Sequence, residues 1–499
     1  MELCFEKKST NIFAGRLHMV KSSAETVEAV VPDTNDDIAR VASLQTMLLL
    51  KGKDISARGI TVTGEARAWL LYITEGGTVQ SVQLAREFSI EYESDAVLDE
   101  KLTHVALSVN AAETRVLNPR KVAVTFEICG ELWAYSREEL CVSASAGDTP
   151  CRVYAKQERC SATPVIAVTE KTFVLTEQFA FADSKPQPAA LLSQNIEYEL
   201  AEINVISGRA VVKGNVRLKL CYASDGADYP VTAEFSSPFS QLIDVPDTDT
   251  SGCAARVEIN GAYLNIIDTI NGTKAVDVEL HCLTELVCFG REEVQYISDM
   301  YCNTAALTPR MGKLSIPSDC ELRRVSLSFS ESIEAPEDCA DVLAAFTQIC
   351  RCAVSGATLS AQCLADIIYR SESGGISVMK RTFSLEGDCP DGVSSVLNVR
   401  VVETKLYPAA GSISVALNVE AVCLCAGSME VDAVLSAELS DEAETDCAAY
   451  PSVTLVRMEG ESLWQLAKSY HSSEEAIIGL NGADSVSYTH LTLPTKLEV

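Results

Sequence analysis

Alternation of apolar and polar residues predicts β-strands along most of the chain. The clearest case is the segment in which Val212, Val216, Leu218 and Leu220 alternate with lysine, asparagine and arginine. Successive side chains of a strand point to opposite faces. The pattern therefore predicts a strand with one buried face and one solvated face.

This strand belongs to a segment that occurs three times. Residues 64–72, 214–222 and 361–369 align without gaps, and each copy ends in a tyrosine. A second apolar strand follows in each copy, at residues 122–128, 276–282 and 413–419. Self-similarity at a long period predicts repeated structural units. We expect three such units of about 140 residues, each large enough for its own core.

Each unit begins with proline and acidic residues that lead into an apolar run, at residues 32–44, 188–192 and 336–343. We interpret each apolar run as a short helix that precedes several antiparallel strands. Proline, serine, threonine and acidic residues gather near 150–165, 303–318 and 440–452, which predicts linkers there. The predicted repeat domains are residues 1–150, 160–305 and 315–440, and the predicted fold class is mainly β with minor α.

Charge and composition narrow the function. Apolar residues make up 47% of the chain, so it is globular and not disordered. Forty basic and seventy acidic residues give a net charge of −30, which argues against nucleic acid and anionic membranes as partners. Because the acidic residues are spread along the chain, we attribute them to solubility and not to a cation site.

The sequence predicts a cytoplasmic protein. The first residues have no apolar segment behind their charges, and no stretch approaches the ~18 apolar residues of a membrane helix. The nineteen cysteines follow no compact framework of spacings. In a reducing cytosol we expect them to act as small buried apolar side chains. Their odd number leaves one for crosslinking between chains in an oxidising assembly.

A different pattern begins near residue 453. A short apolar strand precedes two runs with helical spacing, and each run has a capping-box signal, Ser462 with Gln465 and Ser472 with Glu475. Gly482 follows the second run as a stop signal. The sequence therefore predicts a small βαα unit over residues 452–483.

This unit resembles a LysM domain, a module known for binding glycans that contain N-acetylglucosamine. The resemblance rests on the run from Gly460 to Ala467, on Tyr470 and on the Leu-Asn-Gly that ends at Gly482. Thr454 departs from the family, which usually has an aromatic residue there. Two loops of the family hold the ligand, and their positions here imply a glycan- or partner-binding site at Gly460, Glu461, Ser462, Leu463, Ile478, Gly479, Leu480, Asn481 and Gly482.

Two points about this unit stay open on the sequence alone. Trp464 is either part of its small core or a ligand-binding residue. Residues 491–494 can close the unit as a second strand, but residues 486–496 resemble a translated sequencing adaptor. We favour a truncated LysM-like unit followed by an artefactual tail over residues 484–499, to be left out of the fold.

Three β-rich units ahead of a LysM-like end resemble the SPOCS-domain proteins of spore-forming Firmicutes, which build the spore coat. The repeat pattern and the domain order carry this resemblance. It implies a non-enzymatic scaffold in the mother-cell cytoplasm at the forespore surface, with the LysM contacting a coat-assembling ATPase instead of sugar. Strand addition at sheet edges would allow self-assembly. The alternative function is peptidoglycan binding in the cell wall.

Other motifs give weaker indications. Residues 247–258 imitate a calcium-binding loop that ends at Glu258, but their flanks do not predict helices. We therefore favour a plain acidic loop. Cys350 and Cys352 lie two apart, and so do Cys423 and Cys425, which continue the apolar face of a strand. A zinc site built on these pairs is a further hypothesis, which would make the chain a thiol- or metal-dependent assembly protein.

Catalysis finds little support in the sequence. We expect no enzyme, no cofactor and no metal, because none of the histidines occurs in a nucleophile or metal motif and no glycine-rich phosphate loop is present. His281 falls on the polar face of a strand and is expected to be solvated. The histidines are His18, His104, His281, His471 and His490.

Overall fold

The structure is a computed structural model, and strands dominate it. It describes residues 3–95, 98–146, 152–225, 227–247, 249–270, 272–335, 338–409, 411–440, 453–457, 461–481 and 490–494. The described residues form long antiparallel strands and two short α-helices. The predicted fold class, mainly β with minor α, is confirmed.

Three β-rich repeats follow one another along the chain. The first has strands β1 (Phe5–Val30), β2 (Ile38–Ser56), β3 (Gly59–Thr74), β4 (Val79–Glu93), β5 (Thr103–Asn118) and β6 (Lys121–Ala146). The second has β7 (Val153–Ala162), β8 (Val165–Ala180), β9 (Pro188–Ile206), β10 (Arg209–Ser224), β11 (Ala227–Asp244), β12 (Thr250–Asp268), β13 (Lys274–Gly290) and β14 (Glu292–Cys302). The third has β15 (Leu307–Glu334), β16 (Cys339–Ser355), β17 (Thr358–Ser371), β18 (Ile376–Asp388), β19 (Val393–Ala409) and β20 (Ser412–Leu439).

Each repeat packs two three-stranded antiparallel sheets around one core. The first sheets have the orders β2-β3-β4, β9-β10-β11 and β16-β17-β18. The second sheets have the orders β1-β6-β5, β8-β13-β12 and β15-β20-β19. The first aligned segment lies on the middle strand of the first sheet in every repeat, and the second segment lies on the middle strand of the other sheet. Both segments are apolar because a middle strand between two others faces a core.

The repeats also pack against one another. Leu71, Cys221 and Ile368 each directly precede one of the aligned tyrosines, and all three lie in one buried cluster. Equivalent positions of the three repeats therefore meet at one place, as in an assembly with approximate threefold symmetry.

At one end of the second sheets, strand pairs continue as three ribbons. One is the start of β1 with the end of β6, the second is β7 with β14, and the third is the start of β15 with the end of β20. Ile297 and Met300 of the second ribbon pack with Val434 and Ala437 of the third. Val142 of the first ribbon joins a further cluster with Val294 and Ile316. The ribbons thus add shared core between repeats.

The expectation of a short helix at the start of each repeat was wrong. The three lead-ins continue into the strands β2, β9 and β16. The pairing of each of these strands with its neighbour contains three register shifts. A shift of this kind adds a residue to one strand, which breaks the period of two and leaves an apolar spacing similar to that of a helix.

Two of the expected linkers are strands. Residues 153–162 form β7, and β15 begins at Leu307. Among the described residues, each of these strands pairs with one neighbour. A proline such as Pro309 is tolerated on a strand with a free edge, because its missing N–H need not interrupt a ladder of hydrogen bonds. The third expected linker lies outside the described residues from 441 onward. The bounds of the predicted domains stay predictions.

The weaker motifs are also placed. Glu258 lies inside strand β12 and not at the end of a loop, so residues 250–258 do not follow the calcium-loop pattern. Cys423 and Cys425 are buried on β20 with the apolar face that holds Leu417. His281 is half exposed and hydrogen-bonds Glu279, as the sequence predicts.

Candidate functional site

The predicted site belongs to a small unit near the end of the chain. Strand β21 (Val453–Arg457) pairs antiparallel with β22 (His490–Pro494), and helices α1 (Leu463–Ser469) and α2 (Glu474–Asn481) lie between them in the chain. The pairing of residues 490–494 matches the closing strand that the sequence analysis gave as its second interpretation. The origin of the last residues stays a prediction.

The capping box of α1 is confirmed. The Ser462 hydroxyl accepts a hydrogen bond from the Gln465 N–H at 3.2 Å, and the Gln465 side chain accepts one from the Ser462 N–H at 2.9 Å. These two bonds satisfy donors that the first turn of a helix leaves unpaired. Ser462 is therefore fixed at the start of α1, where it remains exposed.

The cap of α2 lies one residue later than expected. The hydroxyl of Ser473, and not of Ser472, accepts the hydrogen bond from the Ala476 N–H, at 3.1 Å. Ser472 is buried, and its carbonyl accepts hydrogen bonds from the Tyr301 hydroxyl and the Asn303 amide, each at 3.0 Å. The predicted second capping box is wrong because this serine belongs to a contact with the middle repeat.

The described residues of the predicted site lie at two helix ends. Glu461, Ser462 and Leu463 lie at the start of α1, and Ile478, Gly479, Leu480 and Asn481 form the last turn of α2. Gly460 and Gly482 lie outside the described residues. Leu480 is 50% exposed and a Cβ at Gly479 would meet nothing within 4 Å, so this turn presents an open apolar surface.

Trp464 is not a free ligand-binding residue. Its side chain is buried, and its ring packs edge-on against Tyr301 with 4.9 Å between ring centroids. Its indole Nε1–H donates to a carboxylate oxygen of Asp299 at 2.8 Å. The ring of Tyr154 stacks against the ring of Tyr301. Trp464 therefore docks the unit onto the β7–β14 ribbon.

Asp299 is the polar centre of this contact. Lys468 donates from Nζ to its second carboxylate oxygen at 2.6 Å, one turn of α1 after Trp464. Burial alone would raise the pKa of Asp299, but the hydrogen bonds from Lys468 and Trp464 outweigh it and hold the pKa below its ordinary value. The carboxylate is therefore ionised when the unit is docked at neutral pH.

The docking has a consequence for ligand access. The faces of Trp464 and Ser472 point to the middle repeat, whereas Glu461, Ser462 and Leu480 are exposed. A partner can reach the predicted site while the unit stays docked. The sequence analysis missed Tyr301, Asp299 and Asn303. No local pattern links these residues of the middle repeat to a helix more than 160 positions later.

A buried ionic cluster lies between the first two repeats. Lys53 donates to Glu170 and to the Thr103 carbonyl, and its Nζ lies 3.7 Å from Glu285. Burial raises the pKa of Glu285 to about 7, although Lys53 opposes this shift. Burial, with nearby Lys53, lowers the pKa of His104 to about 3. His104 is therefore neutral at physiological pH, and the cluster joins the repeats electrostatically.

Two further searches of the described residues concern metals and membranes. Across the described ranges, no group of three or more histidine, cysteine, aspartate or glutamate side chains is arranged to hold a metal ion. No helix in the described part of the chain is long and apolar enough to cross a membrane.

Comparison with known proteins identifies part of the middle repeat. Residues 189–267 match the family model described as SipL, SPOCS domain. The match covers strands β9 to β12, so this segment of the middle repeat is similar to a SPOCS domain. Neither the curated proteins nor the solved structures gave a match.

Proposed function

We propose that this chain is a non-enzymatic scaffold protein of spore coat assembly. The match of residues 189–267 to the SPOCS domain is the observation that carries the proposal. The same order of strands recurs in the other two repeats, at β2 to β5 and β16 to β19. Three repeats, each with its own core and joined by shared buried clusters, offer a large surface, as a scaffold requires.

The C-terminal unit is the proposed docking module. Its strand–helix–helix–strand order and its capped first helix support the LysM resemblance. The exposed Gly479 and Leu480, with the partly buried Ile478, give it an apolar contact surface. Protein interfaces combine exposed apolar residues with a polar rim, and the exposed Glu461 provides a polar group on the same unit. The partner is a spore coat morphogenetic protein at the forespore surface.

A fluorescent fusion tests this proposal in sporulating cells. We expect the full chain to form a shell around the developing forespore from the mother-cell side. A Leu480→Glu fusion should remain folded, because Leu480 is half exposed, and should become diffuse in the mother-cell cytoplasm. Diffuse signal from the unchanged chain throughout sporulation would refute the scaffold proposal.

A second candidate function is binding of peptidoglycan glycan by the same unit. It is favoured by the exposure of Glu461, Ser462 and Leu480 next to the docked face of the unit. Calorimetric titration with N-acetylglucosamine oligomers tests it. Heat of binding that disappears in a Leu480→Glu variant supports a glycan site, and the absence of heat with folded protein removes this candidate.

A further inference from the structure

Two buried cysteines of the middle repeat face each other across a pair of strands. Cys253 on β12 lies directly opposite Cys288 on β13 in the antiparallel register. The two sulfur atoms are 2.6 Å apart, and both side chains are buried. Both residues carry free thiols in the structure.

Their placement meets the requirements of a disulfide. Directly opposed residues of antiparallel strands have Cβ atoms about 4.5–5.5 Å apart, and the short end of this range meets the long end of the about 3.5–4.5 Å found across disulfide bonds. A bond of about 2.05 Å needs the two sulfur atoms to approach by only about half an ångström. By contrast, Cys423 and Cys425 lie two apart on one strand, so their side chains run parallel.

A small reagent has a route to this pair. Cys253 lines a cavity of about 320 Å³ between the middle and third repeats. Arg324 and Glu420 of the third repeat line the same cavity, and so does Cys320. The cavity has room for a small disulfide compound next to Cys253.

We propose that Cys253 and Cys288 are a redox-active pair that forms a disulfide by exchange with a low-molecular-weight disulfide. The Cys253 thiolate attacks one sulfur of the reagent and releases the first thiolate, which leaves a mixed disulfide in the cavity. The Cys288 thiolate then attacks the Cys253 sulfur and releases the second thiolate. The protein loses two hydrogens, and the reagent is reduced to two thiols.

The surroundings set the rate of this reaction. In the reduced pair, the hydrogen bond with Cys253, followed by burial, raises the pKa of the Cys288 thiol. In the mixed disulfide Cys253 no longer carries a thiol, so burial is the cause that keeps the pKa of Cys288 raised during the second step. Because the thiolate is the reactive form, the second step is slow at neutral pH and faster in alkaline solution. The pair therefore stays reduced during brief exposure. Prolonged oxidation links β12 to β13 by a covalent bond. Strand β13 is followed by β14, which belongs to the ribbon on which the C-terminal unit docks.

Peptide mapping of the full chain after treatment with cystamine tests the proposal. We expect a Cys253–Cys288 crosslinked peptide lacking two hydrogens to become the major form of both peptides. The yield should be unchanged in a Cys425→Ser variant. In a Cys288→Ser variant, the second step is blocked and a cystamine adduct should accumulate on Cys253.

Exposed Cys4 reports whether the reagent reached the protein. Recovery of Cys253 and Cys288 as free thiols in folded, unchanged protein whose Cys4 is modified would overturn the proposal. This result needs no variant, so it stands even if Cys288→Ser does not fold.

Discussion

Asp299 and Trp464 show how single side chains place the C-terminal unit. The unit is small, and its own core consists of few residues such as Leu466 and Ile477. Docking adds Tyr301 to that core and satisfies the indole N–H. The spacing of Leu463, Leu466, Ala467 and Tyr470 predicted a helix, but it contained no information about Asp299. A contact between distant segments depends on the whole fold, which local periodicity does not encode.

Replacing Asp299 with alanine should loosen the docked unit. The change leaves the Trp464 N–H unpaired and removes the partner of Lys468, which we expect to cost about 1–3 kcal/mol of docking free energy. Hydrogen exchange of the α1 amides measures this directly. Glu475→Gln is the matched control, because its pair with Arg152 is exposed and worth about 0–1 kcal/mol. Equal protection in the two variants would contradict this role of Asp299.

Glu285 should make the stability of the protein depend on pH. Its pKa is about 7 in the folded protein, above the ordinary 4.5, so the folded state holds the proton more tightly. The free energy of unfolding should therefore fall as the pH rises from about 4.5 to about 7, by up to about 1.4 kcal/mol per pH unit.

A Glu285→Gln variant removes this titration and keeps an oxygen that can accept from the Val105 N–H. Its unfolding midpoint should vary less between pH 5 and pH 7 than that of the unchanged chain. Denaturant titrations at several pH values measure the slope. Identical slopes in both proteins would show that Glu285 does not titrate in this range.

At the scale of elements, the sequence predicted middle strands better than outer strands. The two aligned segments occupy middle strands, which face a core along most of their length and keep a regular alternation. The outer strands β2, β9 and β16 contain register shifts, so their apolar spacing imitated a helix. The position of a shift depends on the partner strand and is not visible in one segment.

The outer strands β4, β11 and β18 also bear on self-assembly. Each is hydrogen-bonded to one neighbour within the described residues. Arg86 lies within β4, Pro230 and Pro238 within β11, and Lys380 and Arg381 within β18. Charges and prolines on an edge strand oppose pairing with another chain. We therefore expect any self-assembly to use other surfaces.

Gly214 on β10 should tolerate no side chain. A Cβ there would lie 2.4 Å from the Glu199 carbonyl oxygen and 2.7 Å from the Phe239 ring. Because backbone cannot move aside, Gly214→Ala should destabilise the middle repeat by about 1–3 kcal/mol. Gly252→Ala is the control, since its Cβ would meet nothing within 4 Å. Denaturant unfolding compares the two, and a neutral Gly214→Ala would contradict the described packing.

At the scale of the whole molecule, the three repeats share buried surface. The repeat pattern predicted three units, but their mutual contacts could not be predicted because the ribbons were interpreted as linkers. Ile297 and Met300 show no sign in the sequence that they pack against Val434 of another repeat. Such contacts imply that the repeats unfold together.

Ile297→Ala should break this coupling. Ile297 is fully buried in the cluster between ribbons, so its truncation should cost about 2–5 kcal/mol. Scanning calorimetry of the unchanged chain should show one main transition, which the variant should broaden or split. Val174→Ala, at an exposed strand position, should leave the profile unchanged. A split profile in the unchanged chain would mean that the repeats unfold independently.

The central claim is that the C-terminal unit serves protein contacts in a scaffold. Co-sedimentation of the purified full chain with washed peptidoglycan sacculi tests it most directly, with a Leu480→Glu variant alongside. The scaffold account predicts that folded protein stays in the supernatant and that the variant behaves identically. Pelleting of the unchanged chain that the variant abolishes would contradict it and make the chain a glycan-binding protein.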